Sequence, residues 1–145
     1  MEALRVPASL ESLGAIGEFV MKAAARAGVD KRAAYRLRLA VDEIATNVVV
    51  HGRPGEHGGP DDVVVEAAID DAGLTVTLED AGPEFNPIER ETPGHLEQPI
   101  HERPIGGLGV FLAVRGVDQF RYERVGGWNR NIFVVHRAGA PSDNR

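Results

Sequence analysis

Apolar residues recur at three- and four-residue steps through Leu10, Leu13, Ile16, Val20 and Ala24. That spacing predicts an amphipathic helix opening after Ser9, a good N-cap residue, and closing at Gly28. A second stripe, Leu37, Val41, Ile44 and Val48, predicts a longer helix capped by Asp30 and running toward Gly52, where the glycine- and proline-rich GRPGEHGGPDD ends it. The pattern then changes period. Val63 to Ile69 and Leu74 to Glu79 have strand character, and in the second Leu74, Val76 and Leu78 alternate with Thr75, Thr77 and Glu79. Asp70-Asp71-Ala72-Gly73 between them suits a tight hairpin.

Residues 2–7, EALRVP, read as a short first strand ended by Pro7, which cannot donate to a ladder. Residues 81–105 hold five of the nine prolines and no sustained periodicity, the mark of a lid, a binding loop or a disordered segment inside a small domain. GGLGVFLAVRGVD predicts glycines opening a helix that carries Val110, Phe111, Val114 and Val117. Residues 119–124 and 131–136 predict a last hairpin across Val125-Gly126-Gly127-Trp128. Helices grouped early and strands in hairpins predict an α+β two-layer sandwich, its mixed, mostly antiparallel sheet covered on one face by helices. One domain is expected over residues 1–138, with a frayed polar tail at 139–145.

Composition narrows the function. The chain has 145 residues, and 16 Lys and Arg against 22 Asp and Glu give a net charge of −6. That balance argues against broad nucleic-acid binding, which needs clustered cations to displace counterions. The densest basic patch, Lys31, Arg32, Arg36 and Arg38, reads as a solvated helix face. With no cysteine, thiolate metal sites, thiol nucleophiles and disulfide staples are excluded. No apolar run reaches the roughly 18–20 residues that span a bilayer. MEALRVPASLES lacks the pattern of a signal peptide, so a cytoplasmic protein is expected. The pairs His51/His57 and His95/His101 match no helical metal-binding spacing.

Three clusters carry candidate chemistry. On the second helix, Glu43 and Asn47 stand four apart and share a face. Asn47 offers a hard oxygen for Mg²⁺ and Glu43 a carboxylate able to deprotonate a hydroxyl. Alone, the segment reads more simply as an ordinary polar helix face. In EDAGPEFNP, Asp80 ends a strand, where a buried carboxylate selects a ligand bearing an exocyclic amine such as adenine; a plain Asx turn is the simpler alternative. Gly82 permits close backbone approach or positive φ. Gly106-Gly107-Leu108-Gly109 opens a helix, a place where backbone N–H groups can face an anion, yet it matches neither a P-loop nor a dinucleotide fingerprint.

In this order the three clusters resemble the Bergerat-type ATP-binding domain, and in particular the bacterial anti-sigma-factor serine/threonine kinases. DEIATNVVVHG resembles the N-box of that family, EDAGPEFNP its first glycine box, and GGLGVFLAVRGVDQFRYERVGGWNRNIFVVHR its second glycine box with the closing hairpin. LRVPASLESL resembles how such proteins begin, so the likeness covers roughly residues 4–137.

The resemblance implies Glu43 as general base and Asn47 as Mg²⁺ ligand. It implies Asp80 at the adenine amine with Gly82 and Phe85 beside the nucleotide, and Gly106, Gly107, Leu108 and Gly109 at the phosphates. Residues 88–105 would be the ATP lid, and charge and position make Arg103 the lid cation best placed to reach a phosphate. Implied cofactors are ATP and Mg²⁺. Implied partners are a small STAS-type antagonist, phosphorylated by the kinase, and a sigma factor, sequestered by it, with the kinase a homodimer. A binding module without phosphotransfer is the alternative, because Pro83 and the proline-heavy lid stiffen segments on which phosphoryl transfer depends. The ATP-binding half of a histidine kinase fits poorly, since no upstream hairpin carries a phosphoacceptor His.

Overall fold

The computed structural model describes residues 2–51, 61–90, 110 and 113–139. Strand β1, Glu2–Pro7, leads into a 3-10 turn, Leu10–Ser12, and helices α1, Leu13–Arg26, and α2, Lys31–His51. Strands β2, Asp62–Ile69, and β3, Gly73–Asp80, precede a short helix α3, Pro87–Arg90, and the closing hairpin of β4, Gln119–Val125, and β5, Trp128–His136. The five strands lie in the order β1-β2-β3-β5-β4, and each neighbouring pair is antiparallel. The α+β sandwich expected from the pattern is the fold found.

The first helix differs from its expectation at its start. Ser9 makes no side-chain cap; the chain winds first as the 3-10 turn, and Ser9 Oγ lies 3.3 Å from Ser12 Oγ instead. Leu10 is consequently turned away from the core and is 64% exposed, whereas Ile16, Val20, Ala23 and Ala24 are buried. The far end follows the pattern: Gly28 N–H donates to Ala25 O and Val29 N–H to Ala24 O, the paired bonds of a Schellman close. Asp30 caps α2 through Oδ1, which accepts from Ala33 N–H at 2.8 Å.

Leu37, Val41 and Ile44 of α2 meet Val63 and Val65 of β2, Leu74, Val76 and Leu78 of β3, and Phe133 and Val135 of β5 in one core. Val48 packs at its margin. Val110, Ala113 and Val114 are helical and buried there too; Phe111 lies outside the described residues. The last hairpin is tighter than its pattern suggested. Val125 pairs directly with Trp128, leaving only Gly126 and Gly127 in the turn, at φ 55° and 84°. Positive φ at both central residues is what a two-residue hairpin turn matching the strand twist requires. Residues 128–130 are therefore strand, with consequences for the site.

Candidate functional site

An open cavity of about 310 Å³ lies between α2 and the ends of β3 and β5. Ile44, Asn47, Val48 and His51 of α2 form one wall. Asp80, Pro83, Phe85 and Pro87 form another, with Asn129 and Asn131 of β5 between them. A mostly apolar pocket holding a few convergent polar groups is the usual form of a small-ligand site.

Asp80 ends β3 with its side chain on the buried face, only 6% exposed. Its Oδ2 accepts from Gly82 N–H at 3.0 Å, an Asx turn, and from Asn129 Nδ2 at 3.1 Å. This carboxylate makes the Asx turn and also lines the cavity. Gly82 is buried and is not among the glycines with positive φ. Its carbonyl accepts from Arg124 Nη1 at 2.8 Å.

Asn129 fastens this loop to the sheet. Its Oδ1 accepts from the Tyr122 hydroxyl at 2.5 Å, and from Phe85 N–H and Arg124 Nη1 at 3.1 Å each. Its Nδ2 donates to Pro83 O at 2.9 Å as well as to Asp80. Burial raises the Tyr122 phenol above its ordinary pKa, against an opposing contribution from the Phe85 backbone. Asn131, 2% exposed, is different: its Oδ1 is buried with no hydrogen-bond partner among the described residues. A buried orphan acceptor in a cavity wall fits a ligand that brings a donor.

The expected site residues separate into three groups. Asn47, Asp80 and Phe85 come together in the cavity wall, with Gly82 beside them through the turn. Glu43, half-buried one helical turn from Asn47, is not among the residues lining the cavity. Arg103, Gly106, Gly107, Leu108 and Gly109, with most of the expected lid, lie outside the described residues. Asn129 and Asn131 were missed. The signal was present, since extending the alternation of Val135 and Phe133 backward puts both on the same inward face. His51, weighed only as a metal ligand, stacks on Phe85 at the cavity wall, with centroids 5.4 Å apart and planes 10° from parallel.

An antiparallel sheet with helices on one face and an amide-and-carboxylate cavity under the second helix is consistent with an α+β ATPase fold. The histidine kinase-like ATPase domain model matches residues 6–134, and the chain belongs to that family. Among its relatives, the serine-protein kinase RsbW of Listeria monocytogenes serotype 4a is 35% identical over 114 residues, covering 75% of this chain and 70% of the relative. RsbW of Oceanobacillus iheyensis is 30% identical over 112 residues, at 75% and 70% coverage. RsbW of Bacillus subtilis is 28% identical over 130 residues, at 86% and 78%. No described helix is long and apolar enough to cross a membrane.

Proposed function

We propose that this chain is an ATP- and Mg²⁺-dependent protein serine/threonine kinase of the cytoplasm that acts as an anti-sigma factor, phosphorylating a small antagonist protein and sequestering a sigma factor. Membership of the family and the RsbW names of its relatives support this reading. The observation that carries it is the joint placement of Asp80 and Asn47 in the lining of one cavity. A buried carboxylate there suits the adenine amine, and a half-exposed amide on the facing helix suits a cation that keeps most of its water and phosphate ligands.

In this reading Asn47 would hold Mg²⁺, which when bound neutralises charge on the phosphate oxygens. Glu43 accepts the proton of the partner's hydroxyl as that oxygen bonds to the γ-phosphorus. The bond to the bridging oxygen breaks and ADP leaves. Arg103 and the run Gly106 to Gly109 are assigned to the phosphates, and the working form is a homodimer.

A second reading, an ATP-binding module that switches partners without transferring phosphate, is favoured by the position of Glu43 outside the cavity lining. Labelled ATP incubated with the chain and its antagonist separates the two. Label on a partner serine or threonine, lost in Asp80→Asn together with ATP binding, supports the kinase. ATP binding without label leaves the module.

A further inference from the structure

Asn129 and Asn131 stand two apart on the inward face of β5 and line the same cavity, but their amides are used differently. Asn129 is opposite Asp80 in the sheet register and spends both ends of its amide holding the Asp80 carboxylate and the following loop. Asn131 is opposite Leu78, one step further along the strand, and its buried Oδ1 has no partner among the described residues. A buried acceptor without a donor is a standing cost in the free protein and calls for a functional account.

The position of Asn131 indicates which donor would relieve it. Asp80 and Asn131 are diagonal neighbours across β3 and β5, a relationship that sets residues roughly 7–8 Å apart at Cα. Both side chains rise from the inward face into one cavity lining, and a single nitrogen at about 3 Å from each acceptor serves both when their oxygens stand no more than about 6 Å apart. A carboxylate and an amide oxygen both accept, so the group between them must carry two hydrogens.

We propose that Asn131 Oδ1 is a second, direct acceptor for the purine 6-amine, which gives one hydrogen to Asp80 and the other to Asn131. The inference rests on the adenine-nucleotide reading above and makes Asn131 a specificity-determining residue of that site. Asn129 does not touch the base; it is a positioning residue that fixes the Asp80 oxygen used in the turn.

Two acceptors make the number of amine hydrogens matter, and nucleotide analogues test this by calorimetry without any variant. The wild type should bind N6-methyl-ATP, which keeps one N–H, about tenfold more weakly than ATP. ITP, with an oxygen at that position, should be rejected more strongly. In Asn131→Ala the ATP affinity should fall about tenfold and the preference for ATP over N6-methyl-ATP should disappear, with a thermal melt reporting folding. Equal wild-type affinity for ATP and N6-methyl-ATP, with ITP still rejected, overturns the role of Asn131 alone. An unchanged preference in folded Asn131→Ala does the same. If ITP binds as well as ATP, or no adenine nucleotide binds, the adenine reading falls and this inference with it. ATP binding without phosphotransfer leaves the inference standing and removes only the kinase claim.

Discussion

Asn129 Nδ2 donates to Asp80 Oδ2 at 3.1 Å across 49 residues of chain, and the same amide holds the Phe85 N–H and the Pro83 carbonyl. One side chain therefore couples the β3 end, the loop after it and the closing hairpin. Replacing it with Ala strands several buried groups at once. Asn129→Ala should lose about 2–4 kcal/mol in urea unfolding and weaken ATP binding. A loss below about 0.5 kcal/mol would show that the amide is not a structural clamp.

Tyr122 supplies the third donor to that hub through its hydroxyl. Tyr122→Phe should cost about 1 kcal/mol at neutral pH. Because burial raises the folded pKa of the phenol, its contribution is present below the unfolded value and is lost as pH rises through the folded one. The wild-type advantage over Tyr122→Phe in melting temperature should accordingly shrink as pH climbs above about 10. An advantage that grows with alkali contradicts this account.

Asp42 shows the same sign in acid. Burial raises its carboxyl above the ordinary value, although Arg38, 3.8 Å away, pulls the other way. The ionised form is thus the disfavoured one in the folded state, and the associated stability is lost as pH rises through the folded pKa. Asp42→Asn should melt slightly above the wild type at pH 7, with the difference fading toward pH 4. The reverse trend in a pH series of melts would mean that the Arg38 pairing dominates.

Gly73 opens β3 where the next strand passes closely: a Cβ there would lie 2.2 Å from the Val135 carbonyl oxygen and 2.8 Å from Arg137 N. Backbone cannot yield as a flexible side chain can. Gly73→Ala should destabilise by on the order of 2–3 kcal/mol in denaturant unfolding, and a neutral result would require β5 to pass Gly73 at a greater distance.

Glu43 and Asn47 of α2 should separate binding from transfer. Asn47, in the cavity wall, should on change to Ala abolish the Mg²⁺ dependence of ATP affinity. Glu43→Ala should keep ATP affinity within about twofold while phosphate transfer falls by 10²-fold or more. Calorimetry with and without Mg²⁺ and a transfer assay check both; equal wild-type ATP affinity in the two conditions would remove the role given to Asn47.

Local pattern was enough for the elements that close on themselves. The stripe Leu37, Val41 and Ile44, the Asp30 cap, the Gly28 close and the alternation of Leu74, Val76 and Leu78 each depend on neighbours a few residues away, and each is found as the spacing predicts. Asp80 was likewise legible as a carboxylate at a strand end. Leu10 was misassigned because apolar spacing does not register that the chain enters α1 through a 3-10 turn, which rotates the residue outward.

The cavity's polar floor was decided by tertiary structure. Alternation backward from Val135 and Phe133 puts Asn129 and Asn131 on the inward face, but they join the site only when a two-residue glycine turn extends β5 back to Trp128 and pairing with β3 sets Asn129 opposite Asp80. That register is a long-range choice made by burying Phe133 and Val135 against α2. The sequence by itself determined the buried stripes of α1 and α2, the β2–β3 hairpin and the carboxylate at its end; which amides meet that carboxylate was determined only when the strands paired, because side chains of distant segments acquire neighbours through register.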